Sequence, residues 1–348
     1  MSIAHQVIDG AKGSTARAVL KLPRPVLRRL AGAPVVINGR TLDPEIQFLL
    51  KLQRLEGPAV ETLSISKGRR QVLTSAKLTG GNQPIGAVTD RSIDGPGGPL
   101  PLRFYTPRGL KGPAPALVYF HGGAWIYGDL DSHDAVCRVL AEDAQVRVVS
   151  VDYRLAPEAP FPAAWDDCWA AWKWITENAQ GLGIDATRIA VGGDSAGGNM
   201  AASVAQYAST DQSVADPAFQ LLIYPRTDLS TDSESRRLYS EGYFLTKAFI
   251  ELGDDNYLVG DEDKTDKRLS PLHHDPSGAA PAYVVTAGFD PLLDEGKAYA
   301  DKMAAAGVPV EYVCEDGLIH GFVNMVGLGS SAPRAVRRMA TALQRGLS

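Results

Sequence analysis

The stretch Ile189-Ala190-Val191-Gly192-Gly193-Asp194-Ser195-Ala196-Gly197-Gly198-Asn199-Met200 decides how the chain folds. Its aliphatic, β-branched start reads as a buried strand. From Ala196 to Ala208 the chain is alanine-rich and reads as a helix. Between the two lies Gly193-x-Ser195-x-Gly197, the pattern that sets a serine on a sharp strand-to-helix turn. A serine so placed takes a strained backbone conformation, and side chains at the flanking glycine positions would collide with the adjoining strand and helix. The turn lifts the hydroxyl clear of the sheet, and the helix N-terminus behind it favours developing negative charge. With 35 glycines in the chain the pattern alone is weak, since a glycine-rich turn with a capping serine would produce it too. The strand before it and the helix after it give it weight.

A second motif, His121-Gly122-Gly123-Ala124-Trp125, follows the apolar run 116–120. A loop of this type, at the end of a strand, turns backbone amides toward the place where an oxygen gathers negative charge. Around the two motifs the apolar patterning alternates. A hairpin is expected over 87–93 and 100–105, then a strand over 116–120, a helix over 131–144 and a strand over 146–151. Trp165, Cys168, Trp169, Trp172 and Ile175 share one helical face, read as core. Strands over 218–223, 282–287 and 308–313 follow, with helices over 292–306 and 332–347. Such alternation predicts an α/β fold with a mostly parallel sheet flanked by helices.

Two regions break the rhythm. Residues 1–84 read as an N-terminal helical segment, with Asp43-Pro44-Glu45 as a helix start reaching about Leu55. Residues 225–277 are acidic and poor in strand signals, with a helical piece near 247–258, and read as an insertion. The catalytic domain is therefore expected over 85–224 and 278–348. Ala18, Leu22, Val26 and Leu30 recur at helical spacing, as do Ile46, Leu49 and Leu50. Their apolar faces are expected to pack on Tyr243, Phe244, Phe249, Ile250, Tyr257 and Leu258, making 1–60 part of a cap and not a targeting arm.

Charge and composition narrow the function. The net charge of −5 argues against a nucleic-acid partner. Residues 1–40 hold seven Lys/Arg (Lys12, Arg17, Lys21, Arg24, Arg28, Arg29, Arg40) against one Asp, so the remainder carries −11. This basic arm is read as the solvated face of short helices, in preference to a lipid-binding one. Cys137, Cys168 and Cys314 are odd in number and lack metal-ligand spacing, which reads as buried thiols in a reducing compartment. No membrane span and no secretory signal is read, so a cytoplasmic protein is expected. No nucleotide, metal or other cofactor motif is present, and none is expected. The oligomeric state is open, a dimer among the possibilities.

A serine hydroxyl is a poor nucleophile unless a histidine takes its proton, and that histidine needs a carboxylate to fix its tautomer. Only His273, His274 and His320 follow Ser195. His273 and His274 fall in the insertion, as polar loop or half a metal site. His320, just past the last strand, can swing over the serine. Asp290 directly follows the strand over 282–287, so Ser195, Asp290 and His320 would meet at one sheet edge. Asp294 should point away on a helix, and Asp316 reads as a surface turn. Activity should fall at acid pH as His320 becomes protonated.

These motifs, with Asp152-Tyr153-Arg154-Leu155-Ala156-Pro157-Glu158, Asp290-Pro291-Leu292 and His320-Gly321-Phe322, resemble the hormone-sensitive-lipase-like carboxylesterases, the bacterial family IV esterases of the α/β-hydrolase fold. The resemblance runs from about residue 85 to the end. It implies an eight-stranded sheet, a helical cap, and a cofactor-free serine hydrolase of short- to medium-chain carboxylic esters. Ser195 would be the nucleophile, His320 the base and Asp290 the orienting acid. The amides of Gly123, Ala124 and Ala196 would form the oxyanion hole, supported by His121 and Gly122. Ala124 stands where the family usually has a third glycine; an amide still donates there, but the methyl narrows or stiffens the turn. An amidase or deacetylase would use the same parts. A small-molecule receptor on this scaffold, as in plant gibberellin receptors, would lack the base histidine.

Overall fold

The structure is a computed structural model that describes residues 19–20, 22–54 and 58–348. Lys12, Arg17, Ala18, Lys21 and the expected helix end at Leu55 lie outside the described residues. Eight strands form the main sheet: β3 (Ala87–Gly95), β4 (Gly98–Thr106), β5 (Ala114–Phe120), β6 (Arg147–Val151), β7 (Ile184–Asp194), β8 (Phe219–Ile223), β9 (Ala282–Phe289) and β10 (Val310–Ile319). A two-stranded ribbon, β1 (Val36–Ile37) and β2 (Arg40–Thr41), precedes them. The order across the sheet is β10-β9-β8-β7-β5-β6-β4-β3. At one edge β3 pairs with β4 and β4 with β6 antiparallel, and the other pairings, from β6 through β10, are parallel.

The residue types follow from where each strand sits. β9 is buried at every position, as a central strand covered on both faces must be. β3, at the edge, exposes Thr89, Asp90, Arg91 and Ser92, whose polar side chains discourage pairing with a further strand. Along β5, Ala116, Val118 and Phe120 enter one core, and Leu117 and Tyr119 the other. The helices Ala163–Glu177, Ala196–Ala208 and Leu293–Ala305 pack in the first core, and Asp134–Ala144 and Ser331–Gly346 in the second. The tryptophan stripe is core, as expected: Trp165, Cys168, Trp172 and Ile175 are buried, with Trp169 packed half-buried beside them.

In the N-terminal part, Asp43 caps α2 (Pro44–Gln53), accepting a hydrogen bond from the Glu45 amide at 2.8 Å. Glu45 in turn caps the last helix, accepting from the amides of Ser330 and Ser331 at 2.8 and 2.9 Å. A helix not singled out in the sequence, α3 (Ile65–Gly80), lies between this region and β3.

One expectation is corrected here. In α1 (Arg24–Ala31) the buried residues are Leu27 and Ala31, and Leu27 packs with Leu20 and Leu328. Leu22, Val26 and Leu30, expected to pack on the insertion, are 39, 45 and 45% exposed. Arg24 explains the rotation: it pairs with Asp43 at 3.1 Å and reaches Ser331 at 3.3 Å, pinning the helix with Leu27 inward. Of the aromatic residues of 225–277, Tyr257 packs on Trp125 and Phe249 on Tyr127, whereas Tyr243, beside Phe289, packs against the core that holds Ile46 and Leu50, so the second N-terminal row does meet the insertion.

Candidate active site

The parallel strands β5, β7, β9 and β10 deliver their C-terminal ends to one edge of the sheet, where four loops meet. Ser195 leaves β7 at φ 56°, ψ −118° and opens the helix Ala196–Ala208. Its amide donates to the Ile223 carbonyl at 2.9 Å, which holds the turn against β8. The glycines are there for space. A Cβ on Gly193 would stand 2.3 Å from the Phe120 carbonyl oxygen, and one on Gly197 closer still to that same oxygen.

Two further loops complete a relay. His320 follows β10 and its Nε2 lies 2.9 Å from Ser195 Oγ. Its Nδ1 lies 2.8 Å from Oδ2 of Asp290, the residue after β9, which is fully buried. A carboxylate only accepts, so Nδ1 carries the proton and Nε2 is left to accept from the serine hydroxyl. Asp290 Oδ1 accepts from the Leu292 amide at 2.8 Å, fixing the carboxylate's orientation. Tyr224, at φ 33°, lays its ring 4.4 Å from that of His320.

The other sequence candidates point elsewhere. Asp294 accepts from the Ser235 amide, and Asp316 pairs with Arg40 at 3.1 Å. Asp316 was expected in a turn; it lies within β10, where a register irregularity between Glu315 and Ile319 interrupts the pairing with β9. His273 Nε2 meets Ser230 and Asp228, and His274 Nε2 the Thr265 carbonyl. Among the described residues no cluster of three or more His, Cys, Asp or Glu is placed to hold a metal.

The loop after β5 turns on three consecutive residues of positive φ: Gly123 at 129°, Ala124 at 53° and Trp125 at 59°. In the left-handed region a Cβ costs energy, so this conformation must be held by its surroundings. Asp194 holds one end, its Oδ1 accepting from the Gly122 amide at 2.9 Å and from Tyr119 at 2.7 Å. Burial pushes the Asp194 carboxyl up, but His133, Tyr119 and the Gly122 amide together bring it below the ordinary range. His121 is fully buried, its Nδ1 donating to the Gly122 carbonyl at 2.9 Å. Burial, reinforced by His133, lowers it to about 4, so it is neutral at physiological pH. The amides of Gly123, Ala124 and Ala196 donate to no acceptor among the described residues.

The loop 152–158 braces the same turn. Tyr153 donates to the His121 carbonyl at 2.7 Å and stacks on its ring at 4.2 Å. The Ala156 amide donates to the Trp125 carbonyl at 2.9 Å. Asp152, at the start of this loop, is pushed up to about 6, chiefly by burial and then by Asp129. A carboxyl raised on folding supports the folded state below its unfolded value, and that support is lost as pH climbs through the folded value. Asp152→Asn is therefore expected to stabilise the protein at pH 7 by about 3 kcal/mol, with little gain near pH 4. Urea unfolding at the two pH values checks this, and an equal gain at both would refute the burial argument.

Sequence reasoning missed Arg69. It sits in α3 and reaches the Ile126 carbonyl at 2.9 Å, the Ala156 carbonyl at 2.8 Å and both Glu158 oxygens at 2.9 and 2.6 Å. One guanidinium thus ties the two loops together. An arginine in a short basic run such as Lys67-Gly68-Arg69-Arg70 reads as solvated, and nothing in the sequence marked this one. Arg69→Ala should lower kcat about 10- to 100-fold with a smaller change in KM, because a loop displaced by about 1 Å misplaces its amides. Arg69→Lys should restore little, lacking the planar fork. An unchanged kcat would limit Arg69 to a structural role.

Also missed was the way α8 (Lys247–Tyr257) lies on the turn. Tyr257 stacks on Trp125 with ring centroids 4.5 Å apart. Buried Arg226, two residues past Tyr224, grips Asp254 at 2.5 and 2.7 Å. Gly253 faces Ala124, and a Cβ there would come within 2.7 Å of the Ala124 methyl. The alanine that departs from the usual glycine thus finds its space beneath a glycine of the opposing helix.

With this geometry in view, the relatives are informative. A family model for the alpha/beta hydrolase fold matches residues 117–324. The chain is 43% identical to a carboxylic ester hydrolase of Mycobacterium tuberculosis, over 94% of this chain and 89% of that one. It is 38% identical to an ethyl acetate hydrolase of Pseudomonas putida, over 88% of this chain and the whole of that one. Among solved structures, an ester hydrolase from the metagenome of Lake Arreo superimposes with a TM-score of 0.84 at 43% identity, covering 87% of this chain and 98% of that one. A thermostable esterase from Pseudomonas putida gives 0.83 at 34% identity, over 87% and 97%.

Proposed function

The chain belongs to the hormone-sensitive-lipase-like carboxylesterases of the α/β-hydrolase fold, and from that premise we propose that it hydrolyses short- to medium-chain carboxylic esters through an acyl-enzyme on Ser195. The observation that carries the assignment is the relay of 2.9 and 2.8 Å from Ser195 through His320 to Asp290. His320 takes the serine proton as Oγ attacks the ester carbonyl carbon. Asp290 keeps Nε2 the accepting nitrogen and stabilises the imidazolium. The free amides of Gly123, Ala124 and Ala196 receive the oxyanion. His320 then returns its proton to the leaving alcohol, and water, activated by the same nitrogen, releases the acid.

The cap is assigned to the 3-10 turn Val60–Thr62, helix α3 and the 225–277 insertion, with α8 over the oxyanion turn. Contacts such as Thr246 to Glu61 at 2.7 Å and Phe249 to Tyr127 support it. Among the described residues no helix is long and apolar enough to cross a membrane.

A p-nitrophenyl ester series tests the substrate class. Acyl chains of about two to eight carbons should be preferred, with neighbours separated by about 10- to 200-fold at most, as one methylene allows. Rapid hydrolysis of emulsified long-chain triglyceride, rising at the oil interface, would identify a lipase and refute this reading.

A further inference from the structure

The insertion holds a strained residue that the relay does not explain. Phe244 has φ 76°, and across it the Leu245 amide donates to the Tyr243 carbonyl at 3.0 Å. That bond and that φ make a γ-turn of the rare, strained hand, with Phe244 at its apex. A side chain in the left-handed region costs energy, so its surroundings must enforce the turn. They do so on both sides. Tyr243 packs its ring on Phe289 and Tyr239 at 5.4 and 5.6 Å, Leu245 is buried, and the Lys247 amide donates to the Ser240 carbonyl at 2.8 Å. Held in this way, the turn throws the Phe244 ring outward, 41% exposed.

The ring comes to lie beside the catalytic base. Gly321 directly follows His320, and a Cβ on it would stand 2.8 Å from Phe244 Cε1, so the ring rests against the Gly321 α-carbon. Two other rings near His320 are closed off: Tyr224 lies on the imidazole and Phe322 on Tyr224, and both are fully buried. Of these three, Phe244 is the ring with surface to offer a ligand.

Taking the proposed hydrolysis at Ser195 as the basis, we infer that Phe244 is a specificity-determining residue for the alcohol half of the ester, and that the chain prefers esters of aromatic alcohols. The chemistry decides which half of the substrate the ring meets. During acylation the carbonyl oxygen turns to the amides of Gly123, Ala124 and Ala196, while the departing oxygen must come to His320 Nε2 to receive its proton. The alcohol's substituent therefore leaves the reacting carbon on the His320 side, where Phe244 stands exposed. An aromatic substituent gains a ring contact there that an ethyl group is too small to make.

Benzyl acetate measured against ethyl acetate tests this, because the two share one acyl-enzyme and differ only in the alcohol. The quantity read is kcat/KM, which covers the steps up to alcohol release. The parent should favour benzyl acetate about 10-fold, the scale of one aromatic contact with its buried area. Phe244→Gly should bring the two esters within about twofold of each other, and Phe244→Tyr should keep the preference. Glycine is the informative replacement because it adopts φ 76° without strain, so the turn survives the loss of the ring, and an unchanged thermal midpoint checks the fold. Ratios along the p-nitrophenyl acyl series should stay within about twofold of the parent's in Phe244→Gly, since the acyl chain lies away from this ring. A parent that hydrolyses ethyl acetate but shows no benzyl preference overturns the inference alone. A benzyl preference that survives Phe244→Gly, equal losses on both esters included, overturns it too, as do acyl-length ratios that shift in its place. A parent inactive on both acetates defeats the esterase reading and the inference with it.

Discussion

Ser195→Ala is expected to lower kcat for p-nitrophenyl acetate by about 10⁴- to 10⁶-fold while leaving KM close to that of the parent. The reasoning is local. Ser195 is the hydroxyl that His320 Nε2 meets, at 2.9 Å, and the strained turn at φ 56° exists to present it. Without the oxygen no acyl-enzyme forms, and what remains is bound substrate with its carbonyl against three amides. Such remnants still speed hydrolysis by water about 10³- to 10⁴-fold, so the variant should be slow and not inert. Its fold should persist, because the Ser195 amide, which holds the turn to Ile223, is untouched. Turnover within tenfold of the parent, measured on protein free of other esterases, would remove Ser195 from the mechanism.

Asp290→Asn is expected to cost about 10⁴-fold in kcat, nearly as much as His320→Ala. An asparagine side chain at 2.8 Å from His320 Nδ1 can donate its amide proton to that nitrogen, which drives the ring's own proton to Nε2. The ring would then face Ser195 with a donor and could not take its proton. Asp294→Asn and Asp316→Asn should keep near-parent rates, since those carboxylates serve the Ser235 amide and Arg40. Combining Ser195→Ala with His320→Ala should be scarcely worse than Ser195→Ala alone, because residues acting as one unit do not add. A His274 variant more impaired than the His320 variant would contradict the relay.

What could be read from the sequence was whatever a short stretch determines by itself. Gly193 and Gly197 have no room for a Cβ, so strand, turn and serine are encoded within a dozen residues. Asp43-Pro44-Glu45 announced its helix because capping is local chemistry. The continuous apolar run of β9 likewise needed no partner to be recognised. Contacts between segments distant in the chain were not legible. Arg69 acts on residues 57 and 89 positions away, and its helix, α3, lacks an acidic first turn. The face of α1 was misassigned because spacing reveals an apolar row but not the side of the body it meets. That choice was made by Arg24 reaching Asp43 and Ser331. The complementarity of Ala124 and Gly253 joins the oxyanion turn to a helix in the insertion, and neither residue signals the other.

The central claim is that Ser195 carries the acyl group between alcohol release and hydrolysis. Acid-quenched mass spectrometry during turnover of a p-nitrophenyl ester tests it most directly, read beside the pre-steady-state burst of nitrophenol. The account predicts a burst of one nitrophenol per chain and an acyl adduct on the peptide containing Ser195, both lost in Ser195→Ala. An adduct on another residue, or a burst of equal size in Ser195→Ala, would contradict it.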